Sequence, residues 1–253
     1  MNPLVIRSFP SDHVTPVRAY ASLRARSAGR PSFLFEWGDR FAALGYRPHS
    51  EALYPNGQDT LATLREETAA LKAAGAGGGA GEGESAALAA GICRGLVGFL
   101  AFEVLQEELA LDPRGELGLL ARFIREPTVV VFDHKARTMT IAGASDGAVR
   151  RCAWELAQDP GLSPLAAIDP DALPEVLDVA PVDDVFAGKA GLARARVQAG
   201  EAERLVFART FKAPPRGADA FDAYRALRVL LPEANLFFLD FTETPIAPGM
   251  TLL

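Results

Sequence analysis

Few side chains in this sequence stand where they can do chemistry unaided. The three histidines, His13, His49 and His134, are far apart and fall in predicted loops or turns. Asp12 and Asp133 adjoin two of them, but no histidine has a metal-ligand spacing. No nucleophile-elbow motif is present either. The two cysteines, Cys93 and Cys152, match neither a zinc motif nor a disulfide framework and read as buried small residues. Glu36 is the penultimate residue of the largely apolar run SFLFEW. It can serve as the counter-charge of an ammonium group through a charge-assisted bond, or end a strand in water. Glu103 follows a glycine-containing apolar run and reads as a helix-start or surface residue.

Local signals indicate the elements that position these groups. Thr15 and Pro16 open a helix, with a capping hydroxyl and a proline suited to its first turn. Ser32–Trp37 and Phe41–Tyr46 are predicted strands around Gly38 and Asp39. Asp59 or Thr60 caps a second helix with Leu61, Leu64 and Leu71 on one face. Arg94–Glu103 reads as a strand in which glycine permits close backbone approach. Thr128–Asp133 and Thr138–Ala142 form a hairpin, and Ser145 or Asp146 starts a helix. Residues 158–181 read as irregular and 192–198 as helical. Leu205–Phe211 alternates like a strand, which puts Arg204 and Arg209 on opposite faces. Asp219 caps a last helix, and Asn235–Phe241 is a last strand. Strand pairs interspersed with helices, without a strict βαβ rhythm, predict an α+β fold with mixed, largely antiparallel sheets and flanking helices.

The chain has 253 residues, 49% hydrophobic and 23% charged, enough to bury a sizeable core. We read it as a single domain over 1–253 with a flexible glycine-rich loop at 75–85. That loop lacks the Gly-Lys-Ser/Thr ending of a phosphate cradle. A net charge of −6 argues against nucleic-acid and anionic-membrane binding, which need clustered positive charge. No apolar run reaches transmembrane length, and the N-terminus has no signal-peptide pattern. These features predict a cytoplasmic protein with no membrane partner.

Four blocks, in order, resemble anthranilate synthase component I of the chorismate-utilising family. Thr15–Tyr20 with Ser32–Glu36 is similar to the family's Thr-Pro-Val helix and Leu-Leu-Glu-Ser strand. Arg94–Glu103 is similar to its Gly-Gly-Leu-Val-Gly-Tyr-Leu-Gly-Tyr-Asp. Thr128–His134 is the third block. The fourth runs from Ala199 through Phe211, then Asp222–Arg228 and Leu236–Phe241. The resemblance covers residues 12–241 and implies part of the family's large sandwich, in which two sheets frame a cleft.

It also implies function. Family members convert chorismate using magnesium and ammonia, the latter usually from a glutamine amidotransferase subunit. Their catalytic residues lie in a C-terminal half with no counterpart here. The expected protein is therefore the N-terminal part of an anthranilate synthase component I-like lyase of tryptophan biosynthesis, apparently truncated. Such a chain has no catalytic, cofactor or metal residue of its own. Magnesium is expected only in a complete member, and the partners are the amidotransferase or the missing half. The alternatives are a noncatalytic aromatic amino-acid-binding or regulatory module and a 4-amino-4-deoxychorismate synthase-like protein. By resemblance, Glu36, Trp37, Pro232, Asn235, Leu236 and Phe237 build an L-tryptophan effector pocket. The family's serine is replaced by Trp37 and its Pro-Tyr pair by Ala234 and Asn235. One expectation is that the Trp37 indole fills the pocket itself. In the Gly-Asp-Ile-Phe-Gln block the Phe-Gln pair is Glu203 and Arg204, a sign of relaxed constraint.

Overall fold

The computed structural model describes residues 3–27, 29–55, 59–75, 83–109, 119–158, 161–165, 178–212, 219–241 and 251–252. They fall into two compact units, Met1–Pro164 with Ala223–Leu253, and Leu165–Asp222. The first begins with β1 (Val5–Pro10), α1 (Pro16–Ala25), β2 (Ser32–Trp37), β3 (Phe41–Tyr46), β4 (Ser50–Pro55) and α2 (Thr60–Gly75). It continues through α3 (Glu84–Arg94), β5 (Leu96–Leu100), α4 (Val104–Glu108), β6 (Leu119–Arg125), β7 (Thr128–Asp133), β8 (Thr138–Gly143) and α5 (Asp146–Ala157). The second unit holds β9 (Asp178–Ala180), α6 (Asp183–Gln198) and β10 (Thr210–Lys212). The chain returns to the first through α7 (Ala220–Leu230), β11 (Leu236–Asp240) and β12 (Thr251–Leu252). Among the described residues no helix is long and apolar enough to cross a membrane.

In the first unit a seven-stranded sheet runs β1-β8-β7-β3-β2-β11-β12, and a three-stranded sheet runs β4-β6-β5. The pairings in both are antiparallel, so the fold is the mixed α+β class expected. Strand alternation divides the large sheet into two faces. On one face lie Leu34, Leu44, Tyr46 and Phe238, covered by α1, α5 and α7: Tyr20 and Tyr224 both meet Phe238 edge-on with centroids 5.7 Å apart. On the other, Ala43, Val129, Val131 and Ala142 pack against Ala89 and Cys93 of α3. Beside them Phe33 and Leu239 pack against Val97 and Ile124 of the small sheet. The outer face of that sheet is covered by α2, with Leu64 against Ala52, Tyr54 and Ala121.

The local signals explain most boundaries. The Thr15 hydroxyl accepts from the Arg18 amide, Asp59 Oδ1 from Ala62, Ser145 Oγ from Ala148 and Asp219 Oδ1 from Phe221. Helix α3 was not anticipated. Its N-cap is Gly83, which offers no capping side chain, and the glycine run before it hides its start. Residues 76–82 of the predicted flexible loop lie outside the described residues. The predicted 94–103 strand is shorter, because α3 ends at Arg94 and β5 stops at Leu100.

In the second unit β10 pairs antiparallel with β9 over three residues, Thr210↔Ala180 to Lys212↔Asp178. The strand predicted over 205–211 is therefore confined to its end, and Leu205, Val206 and Phe207 are exposed without regular structure. Alternation is only a propensity, and β9 supplies no partner beyond Ala180. Arg209 consequently does not sit opposite Arg204 on a strand. Its guanidinium lies 5.1 Å and 5.3 Å from the ring centroids of Phe186 and Phe211 and pairs with Asp183 at 2.5 Å.

Candidate functional site

Where the two sheets of the first unit face each other, the gap between β2, β11 and β5 opens into a cavity of about 470 Å³. Phe35, Glu36 and Trp37 of β2 line it, with Gly98, Phe99 and Leu100 of β5. Asn235, Leu236, Phe237 and Leu239 complete it. Register brings the two outer strands together across two hundred residues of sequence: Phe237 pairs with Phe35, and Leu239 with Phe33. Phe33, Phe35 and Trp37 form an aromatic row, with centroids 5.0 Å and then 5.6 Å apart. At its inner end the cavity adjoins the core through Phe99, which meets Phe241 edge-on at 5.9 Å.

Two glycines make this geometry possible. A Cβ on Gly98 would lie 1.9 Å from the Arg122 carbonyl oxygen, so only glycine lets β5 approach β6 there. A Cβ on Gly45 would lie 2.2 Å from the Phe33 ring, so its absence leaves room for the first member of the aromatic row.

The strand parity that turns Phe35 and Trp37 toward the cavity turns the Glu36 carboxylate to the helix-covered face. There Arg228 of α7 holds it in a fork, Nε to Oε2 at 2.6 Å and Nη2 to Oε1 at 2.9 Å. The Tyr224 hydroxyl donates to Oε2 at 2.5 Å. Burial, reinforced by that bond to Glu36, raises the Tyr224 phenol well above the ordinary tyrosine range, so it stays protonated and donating. The Glu36 side chain is 12% exposed. It is thus neither a solvated strand end nor an open counter-charge. Asn235 acts as a staple: its Oδ1 accepts from the Gly38 amide at 3.0 Å, tying the β2–β3 turn to the start of β11.

Of the residues expected at an effector pocket, Glu36, Trp37, Asn235, Leu236 and Phe237 line the cavity. Pro232 does not; it is exposed in the turn before β11. Trp37 is a wall of the cavity and 39% exposed. Sequence reasoning missed Phe35, Gly98, Phe99, Leu100 and Leu239. Parity along SFLFEW was the signal that would have grouped Phe35 with Trp37, and the two-glycine block was the signal for β5.

The other candidates are dispersed. His13 Nδ1 lies 3.6 Å from Asp12 Oδ1 in an exposed pair, and Glu103 lies in the turn before α4. Among the described residues no three His, Cys, Asp or Glu side chains come together to hold a metal ion. Cys93 and Cys152 are buried free thiols. Burial pushes the first up to about 11 and the second up to about 12, which makes both poor nucleophiles.

The sequence profile of the chorismate binding enzyme family matches residues 30–247. The chain belongs to that family. None of the curated proteins compared with it matches significantly. The match spans β2, β5 and β11, so all the strands around the cavity of this chorismate-binding family member lie inside it, while β1 and α1 precede it. The chorismate-utilising family expected from the four ordered blocks is thereby borne out.

Proposed function

We propose that this chain supplies the N-terminal portion of a lyase resembling anthranilate synthase component I, which converts chorismate to anthranilate. The observation that carries this reading is convergence. The segments 32–36, 94–103 and 236–241 resemble that family by their order along the chain, and the strands they contribute to, β2, β5 and β11, meet around one cavity. The reaction needs a divalent cation to hold the substrate carboxylate and polarise the leaving hydroxyl. The described residues do not fit such an ion, having no cluster of ligands. On this reading the metal-binding and chorismate-contacting groups belong to a complementary half, and a glutamine amidotransferase partner delivers the ammonia.

The test is reconstitution. The purified chain is incubated with chorismate, magnesium and an ammonium salt, with and without a separately expressed C-terminal half of a characterised anthranilate synthase component I. Anthranilate fluorescence is expected only in the mixture. Fluorescence from the chain alone overturns the division of labour. Formation of 4-amino-4-deoxychorismate overturns the choice of product. Absence of both complex and product overturns the half-enzyme reading.

A further inference from the structure

We infer that copies of this chain associate head to tail, a basic aromatic patch on α5 of one copy seating on an acidic apolar patch around α4 of the next. Both patches belong to the first unit, and helix periodicity builds each. On α5, Val149, Cys152 and Leu156 are buried, which leaves Trp154 on the opposite side, 63% exposed. Arg150 and Arg151 are also exposed. They stand four and three residues before Trp154, the spacings that make side chains neighbours on a helix. The acids of α5 do not offset them. Asp146 is held by Arg7 at 2.5 Å and by Arg150 at 2.9 Å. Glu155 is buried and bound by Arg47 and Tyr46. The outer side of α5 is therefore positive on a chain whose net charge is −6.

The second patch has the opposite character. Val104 is the buried residue of α4, while Phe102, Leu105 and Leu109 are exposed, Phe102 by 77%. Their spacing, i, i+3 and i+7, puts them in one row, and exposed apolar patches mark interaction sites. Glu103 precedes the row and Glu108 stands inside it. Glu108 meets Arg65 at 3.2 Å in a solvent-exposed pair, which contributes little and leaves the carboxylate able to take a second cation.

A second copy is the occupant because the two patches complement each other. Trp154 matches Phe102 and the two leucines, and Arg150 and Arg151 match Glu103 and Glu108. Trp and Arg are also enriched among the residues that dominate binding energy. The layers fix the mode. Helix α5 covers the outer side of the large sheet, whereas α4 stands beside α2, which covers the outer side of the small one. Complementary patches on opposite outer layers cannot both be satisfied within one dimer, so each copy binds the next and the assembly stays open. A patch of a few side chains falls short of the roughly 800 Å² per partner of a stable interface, so association is weak and emerges on concentration.

The inference goes beyond the lyase reading and stands apart from it, because association is read without substrate. The test is sedimentation velocity of the whole chain at rising concentration. At low salt the weight-average coefficient is expected to climb past the dimer value without a plateau. Added salt is expected to lower it, since the Debye length is only about 10 Å at 0.1 M. Trp154→Glu and Phe102→Lys each block one patch at an exposed position. Each variant alone is expected to stay monomeric with its thermal midpoint unchanged. Mixed in equal amounts they hold one intact patch of each kind, and they are expected to form a dimer and nothing larger. A wild-type chain that stays monomeric overturns the proposal, as does one that stops at a closed dimer. A variant that still self-associates places the contact elsewhere, and a mixture without dimer denies the complementarity; either result overturns it equally.

Discussion

Replacing Arg228 with methionine tests whether Glu36 is a committed structural charge. The substitution keeps much of the side-chain volume and removes the cation. The gross attraction of an ion pair at contact is about 4 kcal/mol at an effective dielectric near 20. Two effects reduce it. Arg228 is 40% exposed against 12% for Glu36, so water screens the arginine end, and ordering the long arginine costs up to about 2 kcal/mol. The net contribution is therefore about 2 kcal/mol, above an exposed pair and below a fully buried one. With a urea m-value of about 2–3 kcal/mol per M, the unfolding midpoint of Arg228→Met falls by about 0.7–1 M. Adding Glu36→Gln removes the stranded charge and recovers about 1 kcal/mol of the loss, the non-additivity expected of partners in contact. An Arg228→Met midpoint within about 0.2 M of the wild-type value refutes the reasoning. So does a double variant no more stable than Arg228→Met alone.

Gly98→Ala drives a Cβ into the Arg122 carbonyl and is expected to lower stability by about 3 kcal/mol or more. Gly91→Ala, on α3 with open space around it, is expected to raise it by about 0.5–1 kcal/mol; thermal melts separate the two. Arg122 is 7% exposed on its side chain and binds Glu51 at 2.5 Å, while its Nη1 donates to the Phe241 carbonyl at 3.2 Å. Arg122→Met is expected to cost about 3 kcal/mol, read from urea unfolding, and a loss under about 1 kcal/mol counts against this clamp between the sheets. The cysteines set an alkaline limit. Burial raises both thiols above the ordinary value of 9.0, so the unfolded chain ionises first. Their contribution to stability is whole below pH 9.0 and is lost as pH rises through about 11 for Cys93 and about 12 for Cys152. Correspondingly, neither thiol should react with Ellman's reagent at pH 8 until the chain is unfolded; prompt reaction of the native protein contradicts their burial.

Local chemistry in the sequence determined much of this protein. Thr15, Asp59 or Thr60, Ser145 or Asp146, and Asp219 announced four helix starts, because a capping oxygen acts within three residues of itself, and the caps are Thr15, Asp59, Ser145 and Asp219. Apolar runs announced β2, β3, β7, β8 and β11, since their residues suit a pleated, buried surface. Such signals failed where the decision was not local. Helix α3 lacks a capping side chain, and the 205–211 alternation became a strand only where β9 was there to pair with it. The site divides in the same way. The residue types at 36–37 and 235–237 were legible, while Phe35 was missed although strand parity groups it with Trp37 and apart from Glu36. That β11 lies in register beside β2, that β5 closes over both, and that Arg228 reaches Glu36 from behind were decided only by tertiary structure. Each of these contacts joins segments far apart in the chain, and nothing in either segment alone specifies which distant partner will satisfy it.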